Sequence, residues 1–300
     1  MTLLVVGTVA FDDIETPYGR VERVLGGSAT YFSYAASFFT HVRLVAAVGE
    51  DFPEEHIELL RGRKIDCGGL VRMEGQKSFH WSGRYEGDMN EAQTLEVNLN
   101  VLAAFRPELP ERFRDTPYVF LANGAPALQE SVLGQMEKPK LAVCDTMNHW
   151  ISGDREALEA LLRKVDGIIL NDGEARMLTG ERNLVAAGER IRGMGPSFVI
   201  IKKGEHGAYL TCGEGRFGLP AYPVPEVKDP TGAGDSFAGG VMGWIASRGS
   251  SDFPVLKQAM VYGTILASFN VEDFSLERFK RLRREEIDER YARFLPFFSL

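Results

Sequence analysis

Short apolar runs alternate along the chain with longer segments in which apolar residues recur at helical spacing. The short runs are typical of buried strands and the longer segments of amphipathic helices. Because strands separated by helices are joined by right-handed crossovers, the pattern predicts a mostly parallel sheet with helices on both faces and ligands at the carboxyl ends of its strands. The predicted strands are residues 3–7, 44–48, 118–122, 141–144, 167–170 and 198–201. The predicted helices are residues 29–39, 53–61, 128–136, 154–164, 184–192, 237–245 and 255–269.

Two stretches of mixed polarity interrupt this alternation and predict a small second sheet. Residues 11–25 hold a Pro-Tyr-Gly turn between two strand-like segments, and residues 69–85 are strand-like around a glycine turn. We expect the chain to form one domain spanning residues 1–300. The two stretches would form a lid inserted into that domain at about residues 12–25 and 69–85. A small sheet needs its exposed face covered by substrate or by another subunit, which predicts a homodimer formed through the lid.

Two further regions are less regular. Residues 86–117 show weak periodicity and three prolines, which indicates a loop with one short helix. Residues 276–294 carry apolar positions at roughly helical spacing among many charges and predict one amphipathic surface helix. Its basic run at residues 281–284 is interpreted as a solvated face, with an acidic partner as the alternative.

Composition and charge narrow the class of protein. With 300 residues, 44% of them hydrophobic, the chain is long enough for one large α/β domain. A net charge of -8 disfavours a nucleic-acid or anionic-membrane surface, because those partners attract basic patches. Cys67, Cys144 and Cys212 form no C-x-x-C pair, and no apolar run is long enough to cross a membrane, so we expect a reduced, cytoplasmic protein.

The stretch from Lys228 to Gly240 joins a small-residue turn to an acid and then to a helix. Gly232 and Gly234 let the backbone approach a ligand closely, and the first N–H groups of the helix face the same space. An anion site with a base, Asp235, inside it favours phosphoryl transfer, in which N–H groups hold the charge on the transferred phosphate while the acid accepts a hydroxyl proton. The alternative is a capped, glycine-rich helix start.

The string Thr231-Gly232-Ala233-Gly234-Asp235-Ser236-Phe237 resembles the C-terminal signature of the PfkB (ribokinase-like) carbohydrate kinase family, D-[TP]-T-G-A-G-D-[ST]-F, at seven consecutive positions. The resemblance implies that Asp235 is the catalytic base and that Gly232, Ala233 and Gly234 form the anion hole. It also implies a Rossmann-like, three-layer ribokinase-like α/β sandwich with a β-sheet lid, which transfers the γ-phosphate of ATP to a hydroxymethyl group of a sugar. The motif defines this reaction rather than the acceptor.

Three N-terminal features resemble the acceptor site of that family. Gly26 and Gly27 precede a helix, like the N-terminal Gly-Gly signature whose backbone contacts substrate hydroxyls. Asp12 stands where family members grip two hydroxyls, since a carboxylate accepts two hydrogen bonds from a diol. Asp13 is the other candidate for this hydroxyl-binding acid. The alternative for both residues is an exposed acid of the hairpin that binds no substrate. Tyr31 occupies the place of an Asn found in many sugar-using members, and it offers a stacking face instead of an amide.

The resemblance also places the nucleotide and its metal. Asn171 and Glu174 match the N-x-x-E motif that organises Mg²⁺ through water, although a capping box explains the same spacing. Lys202 and Lys203 replace the Thr-Leu of the T-L-G-x-x-G hairpin, and one of them would reach the ATP phosphates, with an exposed strand end as the alternative. Asp229 stands where many members bind a monovalent cation, so K⁺ is a candidate cofactor beside ATP and Mg²⁺. The implied nucleotide-binding residues are Asn171, Lys203, Gly204, Gly207, Gly232, Gly234 and Asn270.

Two alternative functions stay open at this point. A nucleoside kinase of the same family, similar to adenosine kinase, is favoured by four aromatic residues that would stack on a base or else form the core of the lid. A dinucleotide-dependent oxidoreductase shares the fold type, but no G-x-G-x-x-G follows the first strand. The expected partners are ATP and a small sugar or nucleoside. The four aromatic residues are Tyr31, Phe32, Phe79 and Trp81.

Overall fold

The computed structural model describes residues 1–298 of the chain. Its strands are β1 Thr2–Val6, β2 Ala10–Thr16, β3 Gly19–Gly26, β4 His41–Gly49, β5 Ile65–Met73, β6 Phe79–Tyr85, β7 Ala92–Asn98, β8 Tyr118–Leu121, β9 Leu141–Cys144, β10 Gly167–Asn171, β11 Phe198–Lys202, β12 Ala208–Cys212 and β13 Gly215–Leu219. Its α-helices are α1 Ser28–Ala36, α2 Glu54–Arg61, α3 Val101–Ala104, α4 Pro126–Gly134, α5 Asn148–Gly153, α6 Arg155–Leu162, α7 Asp172–Thr179, α8 Leu184–Arg192, α9 Ala233–Arg248, α10 Phe253–Asn270, α11 Glu277–Arg281 and α12 Arg284–Phe294.

The main sheet has nine strands in the order β13-β12-β11-β10-β9-β8-β1-β4-β5. In this order, every pair of neighbouring strands between β11 and β5 is parallel. At the other edge, β12 and β13 pair antiparallel. Leu3 and Val5 pack in one core with α1, α9 and α10, whereas Leu4 and Val6 pack in a second core with α6, α7 and α8. Because both faces are buried, these strands are continuously apolar. The predicted α/β class, a three-layer and mostly parallel sandwich, is confirmed.

The small sheet has the order β3-β2-β6-β7 and differs from the predicted lid in two respects. The segment that ends at Met73 pairs with β4 in the main sheet, so residues 69–73 lie outside the small sheet. In addition, β7 lies within the stretch interpreted as a loop. Nearly all side chains of β7 are exposed, so it lacks the alternation by which a half-buried strand is recognised. Which sheet an edge segment joins depends on partners that are distant in sequence.

The C-terminal region also differs from its prediction. Two helices, α11 and α12, replace the single helix expected at residues 276–294, because Leu282 and Arg283 are extended. The basic run is ion-paired: Arg281 contacts Asp273, and Arg284 contacts Asp288. No helix among the described residues is long and apolar enough to cross a membrane.

Candidate active site

The turn before α9 lies among the carboxyl ends of the parallel strands. Gly232, the N-cap of α9, has a φ of 74°, a left-handed conformation that favours glycine. An added Cβ there would overlap the ring of Tyr31, which therefore lies directly against the turn. Since the capping residue is a glycine, no side chain at that position satisfies the first N–H groups of the helix. Those groups can bind an anion.

Two buried side chains fix this turn. Asn270 donates from Nδ2 to the carbonyl oxygen of Thr231 at 2.7 Å and accepts at Oδ1 from Ser236 Oγ at 2.9 Å. Asp229 accepts from the backbone N–H groups of Thr231 at 2.8 Å and of Ser275 at 3.1 Å, and burial raises its pKa to about 6. The predicted nucleotide contact Asn270 and the predicted K⁺ ligand Asp229 therefore both hold the turn in shape.

Asp235 lies in a cluster of three acids and one lysine. Lys202, the last residue of β11, places Nζ 2.9 Å from where a Cβ on Gly234 would stand, so its ammonium lies against the anion-binding turn. Burial would lower the pKa of Lys202, but the carboxylates of Asp145, Glu174 and Asp235 outweigh burial and raise it. Lys202 therefore stays protonated and balances part of the negative charge.

The same surroundings raise the pKa values of the acids in this cluster. Burial, assisted by the nearby Asp145 carboxylate and opposed by Lys202, raises the pKa of Asp235 to about 7. Burial and Asp145 likewise raise the pKa of Glu174 to about 7. A carboxyl with a pKa near neutrality is suited to accept a hydroxyl proton and release it again. Asp235 is partly exposed, so a substrate can reach it.

Asn171 and Glu174 form the reciprocal capping box of α7. Asn171 N–H donates to Glu174 Oε2 and Glu174 N–H donates to Asn171 Oδ1, each at 2.7 Å. Within the described residues, no three His, Cys, Asp or Glu side chains are gathered closely enough to hold a metal ion directly. A Mg²⁺ ion at Glu174 would therefore take most of its ligands from water and phosphate oxygens.

The expected nucleotide hairpin follows β11. Gly204 and Gly207 have positive φ angles of 53° and 84°, and Lys203 N–H donates to the carbonyl oxygen of Gly207 at 2.8 Å. Lys203 is partly exposed, one residue beyond the cluster that Lys202 enters. The tip of the small sheet reaches this hairpin, because Asn90 Oδ1 stands 2.6 Å from where a Cβ on Gly204 would be.

The acceptor side centres on Asp12, which is 4% exposed. Its carboxylate lies against Gly26, where any Cβ would overlap it, and the N–H of Gly27 donates to it. Burial, followed by the charge of Asp229, raises the pKa of Asp12 to about 8. Its rival Asp13 accepts from the backbone N–H of Arg23 at 2.7 Å and pairs with a histidine of β6 on the other face of the small sheet. Asp12 is therefore the acid that faces the cleft.

The aromatic candidates divide into two groups. Tyr31 is 1% exposed and Phe32 stacks on Phe120 in the core, so neither offers a free face here. Phe79 and Trp81 are partly exposed on β6, and Trp81 pairs directly with Asp12. The Trp81 ring lies over Gly83 and donates from Nε1 to Thr94 at 3.3 Å. Trp81 is thus a fixed aromatic wall beside Asp12.

Two residues of the cluster, Lys202 and Asp145, were considered from the sequence but were not among the predicted site residues. Lys203 was the predicted nucleotide contact, but Lys202 is the lysine that reaches the cluster. The end of a strand does not by itself reveal which of two adjacent lysines faces the cleft. Asp145 was not included, although an acid directly after the apolar strand β9 is the available signal. Gln129 fixes that strand end, since its Nε2 donates to the carbonyl oxygens of Leu121, Ala122 and Asp145.

Comparison with known proteins identifies the family and the fold of the chain. The model of the pfkB family carbohydrate kinase matches residues 2–278. The chain is 29% identical to a cytidine kinase of Thermococcus kodakarensis over 81% of this chain and 87% of the relative. It is 32% identical to a 2-dehydro-3-deoxygluconokinase of Thermoproteus tenax over 81% and 80% of the two chains. A solved structure named Ribokinase II from E. coli superimposes with a TM-score of 0.79 at 17% identity, covering 97% of this chain and 99% of that one. The likeness confirms the ribokinase-like fold.

Proposed function

The chain belongs to the pfkB family of carbohydrate kinases and is therefore a phosphotransferase acting on an alcohol group, and from that premise we propose that it transfers the γ-phosphate of ATP to a hydroxymethyl group of a sugar unit. One observation carries the proposal: an acid with a raised pKa, Asp235, stands at a helix N-terminus beside the ammonium group of Lys202. The helix N–H groups and Lys202 would stabilise the transferred phosphoryl group, while Asp235 accepts the hydroxyl proton.

The proposed cofactors are ATP and Mg²⁺, both of which are bound in the solved Ribokinase II structure. Bound Mg²⁺ would neutralise phosphate charge, with Glu174 orienting its water ligands. Asp229 stays the proposed residue for K⁺, although both of its oxygens already accept backbone N–H groups. The proposed nucleotide contacts are Asn171, Lys203, Gly204, Gly207, Gly232 and Gly234, with Asn270 acting through the turn it holds.

Asp12 is proposed to read the acceptor by accepting two hydrogen bonds from adjacent hydroxyls, with the backbone of Gly26 and Gly27 beside it. A specific observation favours the nucleoside alternative: Trp81, fixed and partly exposed beside Asp12, is placed to stack on a base. The similarity to a cytidine kinase points the same way. Tyr31 supports the phosphate turn instead of stacking in this proposal.

The deciding experiment measures ATP consumption against hexoses, pentoses, polyols and nucleosides, with Mg²⁺ and with or without K⁺. We expect turnover with an acceptor that has adjacent hydroxyls, and a loss of at least about tenfold in kcat/KM for its deoxy analogue, since a buried carboxylate left unpaired costs about 1.4 kcal/mol or more. Trp81→Ala should lower kcat/KM for a nucleoside but not for a free sugar. Absence of phosphoryl transfer to every acceptor would refute the proposal.

A homodimer through the small sheet is also proposed. Its edge strand β7 and the residue after it expose Leu95, Val97 and Leu99, which are 49%, 48% and 55% exposed. An exposed apolar stripe on a strand edge is a site for association with a second copy. We expect Leu95→Glu to shift the mass measured by sedimentation from dimer to monomer, and a wild-type monomer at micromolar concentration would contradict the proposal.

A further inference from the structure

The two faces of the small sheet carry different charges. Because paired residues share a face and successive residues alternate, Asp12 lies on the same face as Val24, Trp81 and Val97. This surface, the acceptor face, continues through Ile14 and Tyr85. The opposite face carries Asp13 and Glu15 together with basic residues that the pairing places there.

Every basic residue within the four strands of the small sheet is on the opposite face and is bound to an acid. Arg84 pairs with Glu15 at 3.1 Å, and His80 pairs with Asp13 at 3.2 Å. Arg23 lies over the ring of Phe11, 4.0 Å from its centroid, and contacts Asp51. Arg20 contacts Glu22 at 2.8 Å. The acceptor face, within the described residues, therefore carries a carboxylate and apolar side chains without a cation.

The main domain adds further negative charge on the acceptor side. The largest charge influences on Asp12 from the main domain come from Asp229 and Asp235, both of them acids. The lysine of the cleft, Lys202, is directed to the phosphate turn by its contact with Gly234. Lys77, in the turn before β6, is exposed and lies outside the strands.

We propose that this pocket selects its acceptor by charge: it takes an uncharged sugar or nucleoside and rejects sugar phosphates and sugar acids. The inference rests on the proposed kinase function and specifies its substrate class. Because the pKa of Asp12 is raised to about 8, a phosphate or carboxylate beside it would meet a like charge above that pH and a buried neutral acid below it. In both cases no paired cation compensates the burial of the anion, which disfavours binding strongly. A neutral diol meets the same carboxylate as a hydrogen-bond donor.

The test compares acceptor pairs that differ by one anionic group: fructose with fructose 6-phosphate, ribose with ribose 1-phosphate, and glucitol with gluconate. We expect kcat/KM for the neutral member of each accepted pair to exceed that of the anionic member by on the order of 100-fold or more. Calorimetric titration of the enzyme without ATP should show the same preference in binding. Comparable or better use of an anionic member would overturn the inference while leaving the kinase function intact. Transfer to none of these acceptors and to none of the nucleosides of the deciding experiment would refute the kinase function itself.

Two positions on β7 that are exposed in a single chain supply a pair of variants, and because Val97 also belongs to the proposed dimer stripe, Leu95→Glu serves as the control for loss of the dimer. Val97→Lys adds a cation on the acceptor face, whereas Gln93→Lys adds the same charge on the opposite face, since Gln93 pairs with Arg84. We expect Val97→Lys to narrow the neutral-to-anionic ratio at least about fivefold and Gln93→Lys to leave it unchanged. Equal effects of the two variants would mean that net charge, and not the face of the sheet, sets the preference. Lys77→Ala should not change the ratio; a lower rate with anionic acceptors alone would identify Lys77 as an anion contact and overturn the inference.

Discussion

The proposed phosphate end of the cleft and its proposed acceptor end differ in how buried charge is compensated. At the phosphate end, Lys202 stands among Asp145, Glu174 and Asp235, so attraction offsets part of the cost of burying these acids. At the acceptor end, Asp12 is buried with other carboxylates as its main charged neighbours, and its pKa rises to about 8. At the first end the protein itself supplies a cation that compensates the buried negative charge. At the second end, only the hydroxyl donors of a bound substrate would stabilise the carboxylate of Asp12. Changes at the phosphate end should therefore affect turnover most, whereas changes at the acceptor end should also reveal a cost in stability.

The largest expected effect is the loss of the base. Asp235→Asn should keep ATP binding but lower kcat by on the order of 10²- to 10⁴-fold, the usual contribution of a general base. Asp252→Asn is the matched control, because Asp252 caps α10 through a contact to Val255 N–H that Asn also makes. Near wild-type kcat in the Asp235 variant would remove this residue from the mechanism.

Lys202 should affect kcat, whereas its neighbour Lys203, a proposed nucleotide contact, should affect the KM for ATP and hardly change kcat. Lys202→Met removes the cation that lies against the phosphate turn and should lower kcat by about 10²-fold, comparable to losing one stabilising donor. Lys203→Met, at a partly exposed position, should change kcat by less than about threefold. Steady-state kinetics at saturating ATP measures both, and equal losses would show that the cluster geometry does not decide the role of Lys202.

The turn itself is tested by two glycines of the same helix. Gly232 and Gly249 both have a φ of 74°, at the two ends of α9. Alanine at either pays the cost of a left-handed conformation, about 1 kcal/mol or more in unfolding free energy. Only Gly232→Ala also displaces the Tyr31 ring, so it alone should reduce kcat, by at least about tenfold. Full activity of Gly232→Ala would contradict a phosphate site at this turn.

The uncompensated charge of Asp12 predicts a pH-dependent stability. Its pKa is raised from 3.8 to about 8 in the folded state, so the folded protein holds this proton where the unfolded chain has lost it. The stabilisation is therefore complete below about pH 4 and is lost as pH rises toward 8, by at most about 1.4 kcal/mol per pH unit. Asp12→Asn should melt furthest above wild type at pH 8, by a difference that shrinks steadily as pH falls and disappears near pH 4, although acceptor binding is lost. Glu15→Gln, on the opposite face, is the control, and melting curves that shift alike in both variants would refute this account.

The smallest expected effect concerns Mg²⁺. Glu174→Gln keeps the capping box, because Gln also accepts the Asn171 N–H, but removes the charge. We expect a several-fold increase in the Mg²⁺ concentration for half-maximal rate, with little change in KM for the acceptor. Glu286→Gln alters the corresponding residue of the second capping box, at α12, and should leave this dependence unchanged. A variant that changes only the melting temperature would make Glu174 a capping residue alone.

The sequence by itself determined the parallel core of the fold and the glycine turn at the start of α9. Apolar runs buried on both faces and the string Thr231 to Phe237 are local patterns, and their outcome depends on residues close together in the chain. Neighbouring residues in the sequence do not show which of the two lysines enters the cluster. Only the packing of β11 beside Gly234 shows that it is Lys202 and not Lys203. Nor did the sequence reveal β7, whose exposed side chains lack alternation, or place residues 69–73 in the main sheet. Strand pairing brings Asp12, Val24, Trp81 and Val97 to one face from four separate strands, and the register that does so exists only in the folded chain.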